Sequence, residues 1–145
     1  MAYAVYTDVA SEFKDITFSS TTAVTDTDVT AWIAQASELI DGYLASKYEV
    51  PVTGVNSLLI LKMICILLVK SRILSVLSVK TPQDKNKQDP DGPTLYKQAM
   101  DLLKDIKKGL IQLSDATLSN SADGLTSYLK DQDIEYQFTM EDDAW

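Results

Sequence analysis

Histidine is absent from the 145-residue chain, and cysteine occurs once, at Cys65. A disulfide within the chain is therefore impossible, a Cys/His zinc site has no ligand set, and no imidazole is available as a general base. Glycine (five) and proline (four) are scarce, which excludes collagen-like and low-complexity architectures. No glycine-rich phosphate loop and no Gly-x-Ser-x-Gly motif occurs. The greasiest stretch, Leu58 to Val69, contains only Lys62 as a polar interruption. Lys62, Lys70 and Arg72 nonetheless break every window of the ~20 residues that a bilayer span requires, so no membrane partner is expected. The opening Met1-Ala2-Tyr3-Ala4 has neither the basic nor the apolar region of a secretion signal. Cys65 sits within Met63-Ile64-Cys65-Ile66-Leu67, the setting of a buried, inert thiol. These features point to a reducing cytoplasm, or to a particle built there.

What the chain does have is globular composition, 46% apolar and 23% charged, in a length that suits one hydrophobic core. Its formal charge of −8 is uneven. Residues 1–113 carry 13 acids and 12 bases, whereas residues 114–145 carry eight acids and only Lys130. A nearly neutral body is thus followed by an acidic arm, and neither offers a basic footprint for gripping nucleic acid.

Four helical segments are readable. The first spans about Asp8 to Phe13, with Thr7 as N-cap, and a Ser/Thr-rich loop follows. The second starts at Asp26 or Thr27, either able to cap, and runs to about Lys47. Its apolar residues Val29, Trp32, Ile33, Ala36, Ile40, Tyr43 and Leu44 fall on one helical face. Val50-Pro51-Val52 is an extended connector. The third helix, about Asn56 to Leu77, is apolar nearly all round and must be buried on most sides. Leu59, Ile66 and Ile73 recur every seven residues along it and are candidate interface positions, with a neighbouring copy supplying the missing cover. A polar loop, Ser78 to Gly92, contains an Asp-Pro-Asp-Gly turn. Pro93 and Thr94 then open the fourth helix, with Leu95, Ala99, Leu102, Leu103 and Ile106 as its core face and Gly109 as its stop.

After the short extended segment Leu110 to Leu113, the arm is expected to begin as a loop. Farther on, Ile134, Tyr136, Phe138 and Met140 alternate with polar residues, the period-two signature of a strand with one apolar face. Together with Trp145 they are candidate contacts to a neighbouring copy or another protein, because a lone strand leaves its backbone donors and acceptors unpaired. Six bases and one acid lie between Ser57 and Gln88. They make either a solvated rim or, through Lys80, Lys85 and Lys87, a docking surface for an acidic partner.

Two motifs brush against chemistry. Asp26-Thr27-Asp28 matches the aspartyl-nucleophile pattern of haloacid-dehalogenase-type phosphatases, but the polar residues before it do not form the required core strand, and helix capping explains both acids. Lys87 to Gly92 resembles a calcium loop until Lys87 falls at the first ligand and Gln98 at the bidentate one. No catalytic, cofactor-binding or metal-ligating residues are assigned, and an enzyme is not expected.

Three stretches in order resemble the Mu-like family of phage head–tail adaptors. They are Met1-Ala2-Tyr3-Ala4 leading to Glu12-Phe13; Ala36 to Leu44 with Tyr48 and Pro51 after it; and Tyr96 to Gly109. Together they span roughly residues 1–113; the Ser78–Gly92 loop and the arm depart from the family pattern. The resemblance implies a structural subunit of the virion neck, assembled in the host cytoplasm. Its partners would be its own copies in a dodecameric ring, the portal protein, and a stopper or tail-completion protein, with DNA passing through the channel. The expected architecture is a mainly α bundle of three main helices plus a short N-terminal one (1–113), with an extended, partly β arm (114–145). A small monomeric interaction or regulatory module is the alternative.

Overall fold

The computed structural model describes residues 1–78 and 92–119. It is mainly helical: α1 (Tyr6–Ala10), α2 (Asp26–Leu44), α3 (Val55–Ser78) and α4 (Gly92–Lys108). Among the described residues, β character is confined to one isolated antiparallel bridge, Tyr48 to Leu118. The strand expected at Ile134–Met140 and the first three residues of the Asp-Pro-Asp-Gly turn lie outside the described residues, and Gly92 is already the first residue of α4.

Helix α1 starts two residues earlier than expected. The Asp8 carboxylate reaches back to accept from the Val5 amide at 3.0 Å, so Val5 takes the N-cap place that Thr7 was expected to fill. The segment beyond Ala10 continues in tighter turns, with Glu12 N bonded to Val9 O and Phe13 N to Ala10 O. Helix α2 is capped by Thr25, one residue before the expected pair. The Thr25 hydroxyl accepts from Asp28 N at 3.1 Å while the Asp28 carboxylate accepts from Thr25 N at 3.0 Å, a reciprocal capping box. That carboxylate is held below its usual range chiefly by the Thr25 side chain. Asp26 accepts from Thr27 N instead.

The core is built on α3, which packs against α4, α2 and α1. Its Leu61, Ile64, Cys65, Leu68, Val69 and Ile73 are buried with Val29, Ile33, Ile40 and Leu44 of α2 and Leu95, Ala99, Leu103 and Ile106 of α4. Burial pushes the Cys65 thiol up, in keeping with an inert group. The N-terminal residues close this core from one side. Tyr3, 6% exposed, donates its hydroxyl to Asp41, accepts from Val52 N at 3.1 Å, and donates its own amide to Ser37 Oγ at 3.1 Å. Burial and the neighbouring Asp41 raise the Tyr3 hydroxyl's pKa, which keeps it a neutral donor.

Helix α4 ends at Gly109, whose φ of 84° is the left-handed region that glycine enters freely. Gly109 N bonds to Ile106 O (3.1 Å) and Leu110 N to Asp105 O (2.9 Å), the paired bonds of a Schellman stop. The chain then turns back across the bundle. Leu113 is buried, Glu49 N bonds to Thr117 O, and Ser119 N bonds to Lys47 O. Between these anchors, the Asp115 carboxylate accepts from the first amides of α3, Asn56 N at 2.6 Å and Ser57 N at 2.9 Å, and from the Ser57 hydroxyl. Asp115 thus caps a helix that began about sixty residues earlier. Gly54 makes room for it, since a Cβ there would lie 2.4 Å from the carboxylate carbon. The first residues of the acidic arm, 114–119, are therefore tied to the body.

The Ser57 hydroxyl, aided by the two amides, holds the Asp115 carboxyl below the ordinary aspartate value of 3.8. A carboxyl lowered in the folded state stabilises it above the unfolded value and loses that contribution as pH falls through the folded one. Asp115→Asn should therefore lower the melting temperature by several degrees at neutral pH. Its acid-side decline should also be shallower than the parent's below pH ~3.8. Thermal melts followed by circular dichroism across pH 2–7 check this; parallel curves for parent and variant would contradict it.

Candidate interaction surfaces

The residues that could carry chemistry are occupied structurally. Asp26 and Asp28 serve the α2 start, as above. Among the described residues no group of three or more Cys, Asp or Glu is placed to hold a metal ion. None of the helices described is long and apolar enough to cross a membrane. Two surface regions, on opposite faces of α3, remain.

The first is the outer face of α3. Val55 (74% exposed), Leu59 (65%) and Met63 (48%) follow one another at four-residue steps, so they form one apolar ridge. Two lysines beside the ridge are held by the α1 region. Lys62 pairs with Asp8 at 2.8 Å and Lys70 with Glu12 at 3.2 Å, while Lys70 also lies 5.8 Å from the centre of the Phe13 ring. The hydrogen bond from Lys62 is the main reason the Asp8 carboxyl is lowered. A shallow depression of about 260 Å³ runs between Leu59, Met63, Ile66 and these ion pairs. The heptad trio divides along this helix: Leu59 is exposed, Ile66 is half-buried and Ile73 is wholly buried in the chain's own core. A seven-residue step drifts by only ~20° on a straight helix, so the three share nearly one angular sector, and their difference in exposure comes from how much of the rest of the chain covers each level of α3. Ile73 therefore has no surface to offer.

The second region is a groove of about 490 Å³ where α2, the C-terminal half of α3 and the start of α4 converge. Trp32, Leu39, Leu68, Pro93 and Tyr96 give it apolar walls, and Arg72 supplies its charge. The Arg72 guanidinium donates to Gln35 Oε1 at 2.6 Å and lies 5.0 Å from the Trp32 ring centre, a cation–π arrangement. Among the described residues no carboxylate pairs with Arg72.

Of the positions singled out from the sequence, only Leu59, Ile66 and Ile73 are described. Ile134, Tyr136, Phe138, Met140 and Trp145, and the basic trio Lys80, Lys85 and Lys87, lie outside the described residues. Sequence reasoning missed the groove. Trp32, on the apolar face of α2, is only half-buried, and Tyr96 stands 49% exposed at the start of an otherwise conventional amphipathic helix. The available signal was the aromatic residue in α2 paired with a late arginine in α3, but their approach depends on how the helices cross.

The division of the heptad trio is directly testable. Ile73→Ala should cost ~2–5 kcal/mol, as truncation of a buried isoleucine does. Leu59→Ala should change fold stability by less than ~0.5 kcal/mol, as an exposed substitution does. Urea unfolding of the two variants checks this; equal losses would place Leu59 in the core as well.

Comparison with known proteins bears on what these surfaces serve. The profile of the family described as Bacteriophage Mu, Gp36 matches residues 3–127. No curated protein and no solved structure matches the chain. The match spans most of the sequence, and the chain belongs to that family.

Proposed function

From membership of this phage family, we propose that the protein is a structural head–tail adaptor of the virion neck. Copies assemble as a ring beneath the portal and couple it to a stopper or tail-completion protein, with DNA passing through the centre. The family match across residues 3–127 carries this reading, together with the likeness of its helical stretches to Mu-like adaptors. The fold is compatible with such a role. A tightly cored body with an uncovered apolar ridge on α3 is suited to contact with another protein, since covering one large apolar side chain contributes ~1.5–3 kcal/mol. The chain acts as a scaffold, not as a catalyst.

The charge supports a channel that does not hold its cargo. With a net charge of −8, carboxylates outnumber cations and repel phosphate, so DNA slides past without being bound. The purified protein should therefore fail to retard duplex DNA even at low salt. Tight, salt-sensitive retention would contradict the proposal.

Native mass measurement of the purified protein, alone and with its portal, tests the assembly itself. A closed ring, or one formed only on the portal, is the expected result. A phage lacking the protein should accumulate filled heads and separate tails, and supplying the protein should join them. A monomer indifferent to portal at high concentration, with normal joining in its absence, would favour an independent interaction module and overturn the adaptor reading.

A further inference from the structure

The groove between α2, α3 and α4 presents a demand that the described residues do not meet. Its walls expose Leu39 (37%) and Tyr96 (49%), and its one cation, Arg72, has no carboxylate partner among the described residues. A volume near 490 Å³ accommodates two or three large side chains. The occupant that fits should be apolar and aromatic, with negative charge beside it.

The chain carries such a segment. Tyr136, Phe138 and Met140 alternate with Glu135, Gln137 and Thr139, and Glu141, Asp142 and Asp143 follow. In an extended conformation the first three side chains share one face, and the acids at either end can reach a single guanidinium. We propose that the groove is the seat of the chain's own residues 134–145, with Tyr136 and Phe138 against Trp32 and Tyr96 and an adjacent carboxylate paired with Arg72.

Reach favours the chain's own segment over that of a second copy. Ser119, the last of the described residues, lies beside Lys47 and hence at the end of α2. From Leu44 back to Leu39 and Trp32 the helix climbs about 8–18 Å at 1.5 Å per residue. Residues 120–133 would span on the order of 20 Å as a random coil. A tether so matched to its target gives an effective concentration on the order of millimolar, well above that of a second copy in dilute solution. This inference does not depend on the adaptor reading and can fail separately from it.

The test uses the full chain with paired cysteines. Glu38→Cys lies on the exposed side of α2 next to Leu39, Met63→Cys lies on the opposite face of α3, and each is combined with Gln137→Cys. The native Cys65 is wholly buried and stays silent. With a short bis-maleimide, the Glu38 pair should link several-fold faster than the Met63 pair, giving a monomeric product at a rate independent of protein concentration. Arg72→Glu and Trp32→Ala should each slow that linkage several-fold, with circular-dichroism spectra unchanged. Equal rates for the two pairs, or indifference to both groove substitutions, would overturn the proposal. A dimeric product would overturn it too, by assigning the groove to the segment of another copy.

Discussion

The contact between the Asp115 carboxylate and the start of α3 is the constraint on which the rest of the body rests. The first amides of a helix have no partner within it, and an acceptor from elsewhere in the chain can supply one. Here the acceptor arrives from beyond α4, and it engages Asn56 N, Ser57 N and the Ser57 hydroxyl together. Because α3 touches each of the other helices, fixing its start also fixes the surface on which they pack. The returning segment is then held at three points by unrelated means: the buried Leu113, the Asp115 cap, and the backbone bonds of residues 117 and 119 to residues 47–49. The body includes this strap as much as its helices.

The same carboxylate chemistry recurs at smaller scale. Asp8 closes the start of α1 and also holds Lys62; Asp28 closes the start of α2. Each anion sits where unpaired amides point, so local hydrogen bonding and the helix dipole act in the same direction. The body's near-neutral charge therefore includes several acids with assigned structural work. The surplus that gives the chain its −8 lies mostly elsewhere, since Asp115 is the only one of the eight acids after Leu113 among the described residues.

How much could be read from sequence followed the range of each interaction. The core face of α2 and the stop at Gly109 were legible because both depend on neighbours a few residues away, and the structure keeps Val29, Ile33, Ala36, Ile40 and Leu44 buried. The starts of α1 and α2 were misplaced by one or two residues, because Thr25, Asp26 and Thr27 are all competent caps and only geometry selects among them. Helix α3 was legible as a helix but not as a surface. A residue run that is apolar all round carries no mark of which side stays open, and its heptad trio spans exposed ridge to full core. Asp115 and Tyr3 were illegible for one reason: their partners lie far along the chain. The groove, formed where three helices meet, belongs to the same class.

The placement of Tyr3 bears on how the body comes together during synthesis. Its amide and hydroxyl are held by Ser37, Asp41 and Val52, which leave the ribosome 34, 38 and 49 residues later. Tyr3 must therefore wait in solvent while α2 and the connector after it emerge, and only then can it enter a site already shaped by them. The contacts of Tyr3 thus become possible only once Val52 has been made, well after Tyr3 itself. A bulky polypeptide fused directly before Tyr3 would compete with that docking, whereas the exposed side chain of Met1 leaves space for a short extension.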